Sequence, residues 1–399
     1  MAMLRLLVLL TAGAAWLSGA LPSGAWEGVL TTPKGKSSFY FEFQETDGKL
    51  SGLFGLRRDF LSPLASASRQ GNDLEFEFKM SDGPAAKFQG VLEWDSAVGT
   101  LTLTPPGVTG KFEMKRLGPA SRLPDSFGPA GNAAELRALS DEFDNPASLD
   151  QWKRFSSEES WPDRIETVDV SRSSPGNLTI VPDSGAWWAG YHGVFLFKPV
   201  KGDFVLTTRL KVTGKSGGEP ASIWTISGLL VRVPGNLRVA AEQRKENWVY
   251  LMTGRGPRID RVIDAKSTLD NLNAWDITPA SAGWYDLRIA RLGPLLILLA
   301  RPDGGEWTVR KRIFRPDFPE TLQAGINVTS DFKLSASMPP ARYNAGLFPG
   351  EGNRDSLTLF DYVRFQPVPN SPELRGRIAG KELQAIPDAE LLALFRSSP

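Results

Sequence analysis

Residues 202–212 read GDFVLTTRLKV, a stretch in which apolar and polar side chains alternate. Such alternation places one set of side chains on a buried sheet face and the other set toward solvent. The same pattern recurs in four further segments, residues 226–233, 247–253, 284–291 and 357–365. No helical periodicity interrupts residues 165–366, so this part of the chain is predicted to form a large antiparallel β-sandwich.

A second, smaller β unit precedes the sandwich. Residues 26–117 contain seven strand-like segments separated by turn signals such as Asp47-Gly48. Residues 118–140 are rich in Pro, Gly and Ala and are interpreted as a linker. The predicted organisation is a β domain at 26–117, a linker at 118–140, a sandwich at 141–366, and a tail at 367–399 with a short C-terminal helix.

The charge balance of the chain argues against a polyanionic partner. Its 399 residues include 46 Lys and Arg and 45 Asp and Glu, which leaves a net charge of +1. Nucleic-acid binding usually requires a surplus of basic residues on one face. We therefore expect no nucleic-acid partner.

The N-terminal residues have the pattern of a secretion signal. Arg5 precedes an apolar run that continues to Leu17, and small residues follow up to Ala25. We predict a signal peptide at 1–25 and no stable membrane span after its cleavage; an uncleaved anchor is the alternative. The chain has no cysteine, and the absence of disulfides favours a bacterial periplasmic or secreted protein.

Two resemblances to known families follow from motifs in the chain. The small β unit resembles lipocalin-like β domains through WEGVL at 26–30, DGKLSG at 47–52 and GNDLEF at 71–76. The larger part is similar to the concanavalin A-like lectin/glucanase superfamily, in particular to the bacterial jelly rolls that form C-terminal modules of β-xylosidases. The second resemblance rests on the order of DEFD (141–144), LDQW (149–152), GDFVL (202–206), SGLLVR (227–232), NWVY (247–250), GWYDLRI (283–289), RPDGGEW (301–307) and FDYVRF (360–365).

Together these features predict an all-β protein with a small lipocalin-like β-barrel followed by a concanavalin A-like jelly-roll β-sandwich. The first and last motifs of the sandwich are expected to pair across a sheet. A long polar insertion at 330–356 replaces an expected short loop, and long loops of this kind often form functional rims.

Few catalytic chemistries fit the residues present. The chain has one histidine, His192, no cysteine and no Gly-x-Ser-x-Gly motif, so a Ser-His-Asp relay and a His-rich zinc site are not expected. The Glu-x-Asp-x-x-Glu spacing of glucanases with this fold is also missing. We assign no catalytic residue, metal or cofactor. Asp141, Glu142, Asp144 and Asp361 are interpreted as capping and turn carboxylates, with a structural calcium site as the alternative.

Aromatic residues supply the candidate binding site. Trp187, Trp188, Tyr191 and His192 form the densest group, and adjacent tryptophans on an extended segment point to opposite faces. An exposed indole stacks on the apolar C–H face of a sugar ring. The alternative is that neighbouring loops cover both rings.

Two strand rows complete the predicted groove. Trp248 and Tyr250 share one strand face, and the row of Trp284, Asp286 and Arg288 combines an aromatic ring, an acid and a cation. Arg232 is expected to add a planar donor fork. A solvated sheet face with cross-strand ion pairs is the alternative to a groove.

The leading functional hypothesis is an exported, non-catalytic bacterial protein that binds carbohydrate or another extended polar ligand on a sandwich face. A hydrolase acting on glycans through an unidentified carboxylate pair and a cell-envelope scaffold are the alternatives.

Overall fold

Three antiparallel sheets make up most of the chain that the structure describes, which confirms the predicted all-β class. The computed structural model describes residues 23–79, 83–125, 132–240, 243–257, 260–348, 351, 354–369, 372–382 and 386–396. Residues 1–22 of the predicted signal peptide lie outside the described residues. Within the described part of the chain, no helix combines the length and apolar character needed to span a bilayer.

The first sheet, sheet A, is a curled half-barrel. Its strands are β1 Gly24–Thr32, β2 Gly35–Thr46, β3 Lys49–Arg57, β4 Phe60–Pro63, β5 Ser66–Gln70, β6 Asp73–Lys79, β7 Ala85–Glu93, β8 Ser96–Thr104 and β9 Val108–Gly118. The strand order is β4-β3-β2-β1-β9-β8-β7-β6-β5, so the sheet curls round through the β1–β9 pair and is open between β4 and β5. Neither β4 nor β5 is among the seven predicted strands, because both are short and the Ser66–Gln70 segment is polar.

Phenylalanine side chains fill the inside of sheet A. Phe39, Phe41 and Phe43 alternate along β2 and point inward, where Phe76 and Phe88 stack 4.6 Å apart. A Cβ atom at Gly28 would lie 2.2 Å from Cζ of Phe39, so only glycine fits beneath this ring. The interior is therefore a packed core.

The sandwich contains fourteen strands among the residues that the structure describes. They are β10 Lys153–Arg154, β11 Ile165–Val170, β12 Leu178–Pro182, β13 Val194–Lys201, β14 Phe204–Thr213, β15 Thr225–Arg232, β16 Trp248–Arg255, β17 Arg261–Leu269, β18 Leu272–Pro279, β19 Trp284–Leu292, β20 Leu295–Pro302, β21 Thr308–Phe314, β22 Thr321–Val328 and β23 Leu357–Gln366. Sheet B has the order β10-β13-β22-β15-β16-β17-β18, and sheet C has the order β11-β12-β23-β14-β19-β20-β21.

The core of the sandwich lies between sheets B and C. Val249 and Leu251 of β16 face Leu287 and Ile289 of β19 in one hydrophobic cluster, and all four are fully buried. The alternation in residues 202–212 corresponds to β14, whose inward residues join the same cluster. The expected pairing of the terminal motifs is confirmed, because Asp141 and Val363 exchange two backbone hydrogen bonds of 2.8 Å.

Short helices decorate the sheets. They are α1 Ala133–Ala138, a 3-10 helix at Pro146–Gln151, α2 Phe155–Glu159, α3 Phe332–Ala336, α4 Pro340–Ala345, α5 Pro372–Ile378 and α6 Asp388–Arg396. The prediction that no helix interrupts residues 165–366 is wrong, since α3 and α4 lie in the 330–356 insertion. Each is only one or two turns long, too short for helical periodicity to reveal it.

The C-terminal tail covers the outer face of sheet C. Leu391, Leu394 and Phe395 of α6 are buried against outward-facing residues of the sheet, including Val205 and Leu292. The apolar side of α6 thus closes a second core on the far side of sheet C.

The tip of the β3–β4 hairpin joins sheet A to the sandwich. Arg57 holds Asp59 in a two-point ion pair, with N–O distances of 2.9 and 2.6 Å. The Arg57 guanidinium also donates to the backbone carbonyl of Ser267 at 3.1 Å, while the Ser267 hydroxyl donates to Asp59 at 2.8 Å. This hairpin therefore fixes the open side of sheet A against sheets B and C.

Replacing Leu394 by Ala is expected to lower the free energy of unfolding by about 2–5 kcal/mol, because the change leaves a cavity in a closed core. Leu392 is only partly buried in the same helix, and Leu392→Ala is the matched control with a smaller expected loss. Urea unfolding followed by tryptophan fluorescence measures both. Equal losses for the two variants would show that α6 does not pack as described.

Candidate functional site

The outer face of sheet B carries a row of large side chains. Trp248, Tyr250 and Met252 alternate outward along β16, as predicted, and the rings of Trp248 and Tyr250 stack 5.2 Å apart. In the adjacent strand β17, Lys266 pairs with Tyr250 and Asp264 pairs with Met252. Register thus places one acid and one cation beside the aromatic row.

A cleft of about 260 Å³ opens over this face. We call it the aromatic cleft, because six aromatic side chains line it: Trp187, Trp188, Trp224, Tyr250, Trp275 and Phe332. Among its polar lining residues are Lys266 and Asn273. Clefts of mostly apolar lining with a few placed polar groups are typical small-molecule sites.

The segment between β12 and β13 gives the two adjacent tryptophans different surroundings. Trp187 is buried in the hydrophobic cluster on the outer face of sheet B, and its Nε1 donates to the carbonyl of Val194 at 3.2 Å. Trp188 is only partly buried, stacks on Tyr191 with ring centroids 4.3 Å apart, and donates to Ser335 Oγ at 3.2 Å. Both residues line the aromatic cleft, although the sequence predicted that they point to opposite faces.

The 330–356 insertion forms one wall of the aromatic cleft. Its first helix supplies Phe332, whose ring lies 5.6 Å from that of Trp188 and 6.2 Å from that of Trp224. The Tyr191 hydroxyl donates to the carbonyl of Met338 at 2.8 Å. Buried Arg164 donates to the carbonyls of Tyr343 and Gly346 further along the insertion. The wall is thus fixed to the sandwich at several points.

The opposite wall belongs to strand β18. Trp275 is 55% exposed, a high value for an indole, and its ring stands at the mouth of the cleft. Asn273 Oδ1 accepts from the backbone N–H of Ala189 at 2.8 Å and from Thr268 Oγ1 at 2.6 Å. These two bonds orient the amide group and leave its Nδ2 as a donor for a further partner.

Lys266 and Tyr250 form the floor of the cleft, and both contact the buried carboxyl group of Asp264. Lys266 Nζ lies 3.3 Å from Asp264 Oδ2 and about 5 Å from the ring centroids of Tyr250 and Trp224. The Tyr250 hydroxyl donates to the same carboxylate oxygen at 2.6 Å. Burial, together with the neighbouring Asp264, raises the pKa of Tyr250 well above its usual value, so the phenol keeps its proton.

The carboxyl group of Asp264, which contacts this floor, is only partly hydrogen-bonded. Burial raises its pKa in spite of the opposing attraction of Lys266. Its Oδ1 has no hydrogen-bond partner among the described residues, although the side chain is fully buried. An unsatisfied buried oxygen of this kind costs free energy and is a common feature of functional sites.

Arg232 does not present a free donor fork, contrary to expectation. It lies in a fully buried ion cluster with Glu159, Glu246 and His192. Its five N–H groups make hydrogen bonds to Glu159, Glu246 and Gln323, at distances between 2.6 and 3.3 Å. No donor remains for a ligand.

The charges of the buried ion cluster stabilise one another. Burial alone lowers the pKa of Arg232, but the attraction of Glu246 and Glu159 outweighs burial and raises it. Burial raises the pKa of Glu246, and the attraction of Arg232 reverses this and lowers it strongly. Both groups therefore stay ionised inside the protein, and each depends on the other.

His192 belongs to this cluster and not to the lining of the aromatic cleft. Its Nε2 lies 3.1 Å from Glu246 Oε1, and its ring packs edge-on against Phe155 at 4.8 Å and Trp161 at 5.0 Å. Tyr191 is buried behind Trp188. Of the first predicted group, only the two tryptophans line the cleft. Trp248 was also predicted to bind the ligand, and this is wrong, because its ring is fully buried and does not line the cleft.

The row of Trp284, Asp286 and Arg288 lies on the outer face of sheet C. The inter-sheet core separates it from the aromatic cleft, so the prediction of one shared groove is wrong. Arg288 is buried under the tail, donates to the carbonyl of Phe395, and lies 4.5 Å from the ring centroid of Trp307. The single-strand pattern gave no means of deciding which sheet each row belongs to.

The acid of the row on sheet C, Asp286, forms a cross-strand ion pair. Asp286 pairs directly with Arg301 of the neighbouring strand β20, with an N–O distance of 2.6 Å, and accepts from the Tyr362 hydroxyl at 2.9 Å. The alternative interpretation of cross-strand pairing therefore describes this row.

Five contributors to the aromatic cleft and its floor were not predicted: Trp224, Asp264, Lys266, Trp275 and Phe332. Trp224 and Trp275 are isolated in the sequence, and Phe332 lies in the insertion. Asp264 and Lys266 share a strand face two residues apart, which was a usable signal. Only the register between β16 and β17 connects that signal with Tyr250.

The acidic residues near Asp141 cap local structure. Asp141 accepts from the backbone N–H of Phe143 and from Nε1 of Trp152, both at 2.9 Å, and Glu142 pairs with Arg364 at 2.8 Å. In the part of the chain that the structure describes, no group of three or more His, Asp or Glu side chains is arranged to hold a metal ion.

Neither a protein-family model nor a curated protein matches the sequence. Similar solved structures include a functionally unknown protein from Saccharomyces cerevisiae, 13% identical, covering 55% of this chain and 97% of that protein, with a TM-score of 0.38. A xylan β-1,4-xylosidase from Bacillus halodurans C-125 is 12% identical, with coverages of 82% and 62% and a TM-score of 0.39. A legume lectin-like domain from Entamoeba histolytica is 12% identical, with coverages of 55% and 92% and a TM-score of 0.32.

These similar structures thus include carbohydrate-related proteins. Identities and TM-scores this low do not extend the activity of those proteins to this chain.

Replacing Arg232 by Met is expected to lower the free energy of unfolding by about 3–5 kcal/mol at neutral pH, because two buried carboxylates lose their cation. Arg154→Met is the control, since its ion pair with Asp163 lies at the surface, with both side chains about two-fifths exposed, and contributes about 1 kcal/mol or less. Chemical unfolding of the three proteins measures the difference.

The loss caused by Arg232→Met should depend on pH. In the native protein the pKa of Glu246 is lowered, so its contribution is present above the unfolded pKa and disappears as the pH falls through the folded pKa. In the variant, burial without the cation raises that pKa, and protonation relieves the cost. The gap between the two proteins should therefore narrow as the pH falls from about 7 to about 5. A gap independent of pH would contradict the charge assignment.

Proposed function

We propose that the protein binds carbohydrate in the aromatic cleft without cleaving it. The observation that carries this proposal is the cleft itself, in which six aromatic side chains, Tyr250 among them, lie around Lys266, and buried Asp264 contacts both Lys266 and Tyr250. Export to the bacterial periplasm or the cell exterior is part of the proposal, and it is supported by the N-terminal pattern of Arg5 and the apolar run that follows.

The chemistry of a sugar ring suits this arrangement. A pyranose has apolar C–H faces and a rim of hydroxyl groups, so it requires flat aromatic surfaces and a small number of polar partners. The rings of Trp188 and Trp275 supply stacking surfaces. Lys266 Nζ and Asn273 Nδ2 supply donors that can fix the orientation of the hydroxyl groups.

The exposure of Trp275 favours a ligand longer than one sugar. A ring that stands at the mouth of a cleft and remains 55% exposed can stack on a second residue that projects from it. We therefore expect affinity to rise from a monosaccharide to a short oligosaccharide.

The state of the nearby carboxylates supports binding over hydrolysis. Glycoside hydrolysis uses two carboxyl groups that flank the bond. Glu159 and Glu246 are both held by Arg232 in the buried ion cluster. Asp264 is held by Tyr250 and Lys266. These three acids are thus paired within the protein, which leaves none of them as a free carboxyl group to flank a glycosidic bond.

A glycan array with the purified protein identifies the ligand, and isothermal titration calorimetry then measures its affinity. Trp275→Ala should weaken binding about tenfold, which corresponds to about 1.4 kcal/mol of lost stacking and desolvation. Lys266→Met should weaken binding while preserving the apolar lining.

Trp94→Ala is the matched control, because Trp94 is 80% exposed on sheet A, outside the cleft, and its loss should leave affinity unchanged. Release of reducing sugar over time would show that the protein hydrolyses the glycan and would overturn the proposal of binding without cleavage. A glycan that binds equally well to Trp275→Ala would exclude the aromatic cleft as its site. Absence of any glycan ligand, combined with capture of envelope proteins, would favour the scaffold alternative.

A further inference from the structure

A second, larger cavity lies where sheet A meets the sandwich. It has a volume of about 590 Å³ and is bounded by the open side of sheet A, the edge strand β21 of sheet C and residues 386–388 of the tail. None of its lining residues belongs to the aromatic cleft. We call it the seam cavity, after the opening between β4 and β5.

The sheet A wall of the seam cavity combines four leucines with several polar groups. Leu50 and Leu53 of β3, Leu61 of β4 and Leu64 between β4 and β5 line it, together with Glu42, Ser51, Arg58, Asp59 and Ser66. Leu50 and Leu64 also pack against the phenylalanine core that fills the inside of sheet A, so a ligand would lie at the open side of this core and not within it.

The opposite wall is cationic because strand β21 contains a β-bulge. Leu298 pairs with Lys311 while Leu299 pairs with Val309, so Arg310 is the extra residue. A bulge interrupts strict alternation and redirects side chains. As a result the three consecutive cations Arg310, Lys311 and Arg312 all line the cavity.

These three cations differ in how well they are compensated. Arg312 is engaged by Asp388 and the carbonyl of Ile386 in the tail. Arg310 donates to Thr278, yet its buried Nε has no partner among the described residues. Lys311 Nζ is bound to Ser62 and lies 3.5 Å from Asp276.

The acids of the seam cavity compensate its cations only in part. Asp276 and Asp388 pair with Lys311 and Arg312. Asp59 is already held by Arg57, and burial raises the pKa of Glu42, which favours the neutral acid. Burial lowers the pKa of Lys311 to about 8, although the attraction of Asp276 opposes this shift.

We propose that the seam cavity binds a small amphipathic anion, with its anionic head at Arg310 and Lys311 and its apolar body along the leucine wall. The volume lies within the range of about 300–1,000 Å³ that is usual for small-molecule sites. An anionic head would supply the partner that Arg310 Nε lacks and would offset the burial of the Lys311 ammonium group. The leucines of the wall would select ligands that also have an apolar body.

Isothermal titration calorimetry with three probes separates the two halves. Decanoate has both an anionic head and an apolar body, decanol has only the apolar part, and acetate has only the head. Decanoate should bind with a 1:1 stoichiometry and at least about tenfold more tightly than decanol, and acetate should not bind measurably. Equal binding of decanoate and decanol, or no binding of decanoate, would overturn the proposal.

Two variants test the location. Arg310→Gln removes the charge at the bulge and should weaken decanoate binding about tenfold, while Leu53→Trp fills the cavity and should abolish binding. Arg69→Gln is the control, since this arginine lies on sheet A and pairs with Glu45 away from the cavity. Circular dichroism melts verify that each variant is folded. If Leu53→Trp does not fold, the decanoate affinity of Arg310→Gln tests the location of the site.

A last variant separates the seam cavity from the aromatic cleft, which also combines apolar surface with a lysine. Lys266→Met should leave decanoate binding unchanged and weaken glycan binding. Arg310→Gln should weaken decanoate binding and leave glycan binding unchanged. Loss of decanoate binding in Lys266→Met would place the anion in the aromatic cleft and refute the seam site.

Discussion

The packing of sheet B on sheet C determines what each outer face of the sandwich can do. The inward residues of both sheets form one shared core, as the full burial of Leu251 and Leu287 shows. A binding site on the sandwich must therefore lie on one of the two outer faces. Sheet C gives most of its outer face to the tail, which adds a second core there. Sheet B keeps part of its outer face open, and the aromatic cleft lies in that part.

Burial of charge shapes what remains open on sheet B. Arg232 and its two carboxylates form a closed unit below the surface, and breaking it would leave a charge without a partner in a low-dielectric environment. Lys266 is different, because its ammonium group lies between two rings and beside only one carboxylate, Asp264. Sheet B therefore combines a buried ion cluster, in which the charge of Arg232 is compensated, with Lys266, whose ammonium group can still donate hydrogen bonds to a ligand.

The predictions from sequence succeeded where they depended on a local period. The alternation in residues 202–212 and the shared face of Trp248 and Tyr250 both follow from strand geometry alone. They failed where long-range register was required. The rows of β16 and β19 look alike as isolated strands, but they lie on opposite sides of the core. Arg232 resembles a free donor until its partners Glu159 and Glu246, 73 and 14 residues away in the chain, are known.

The sequence by itself determined the all-β class, the alternation of the main sandwich strands and the shared face of Trp248 and Tyr250, since each depends on neighbours within a few residues. Only the tertiary structure decided which outer face stays open and which aromatic rings meet there. Trp224, Trp275 and Phe332 are separated by more than fifty residues along the chain and come together through strand order and one inserted helix. The seam cavity likewise depends on tertiary structure, because its lining comes from sheet A, strand β21 and the tail, a combination that a single strand does not encode.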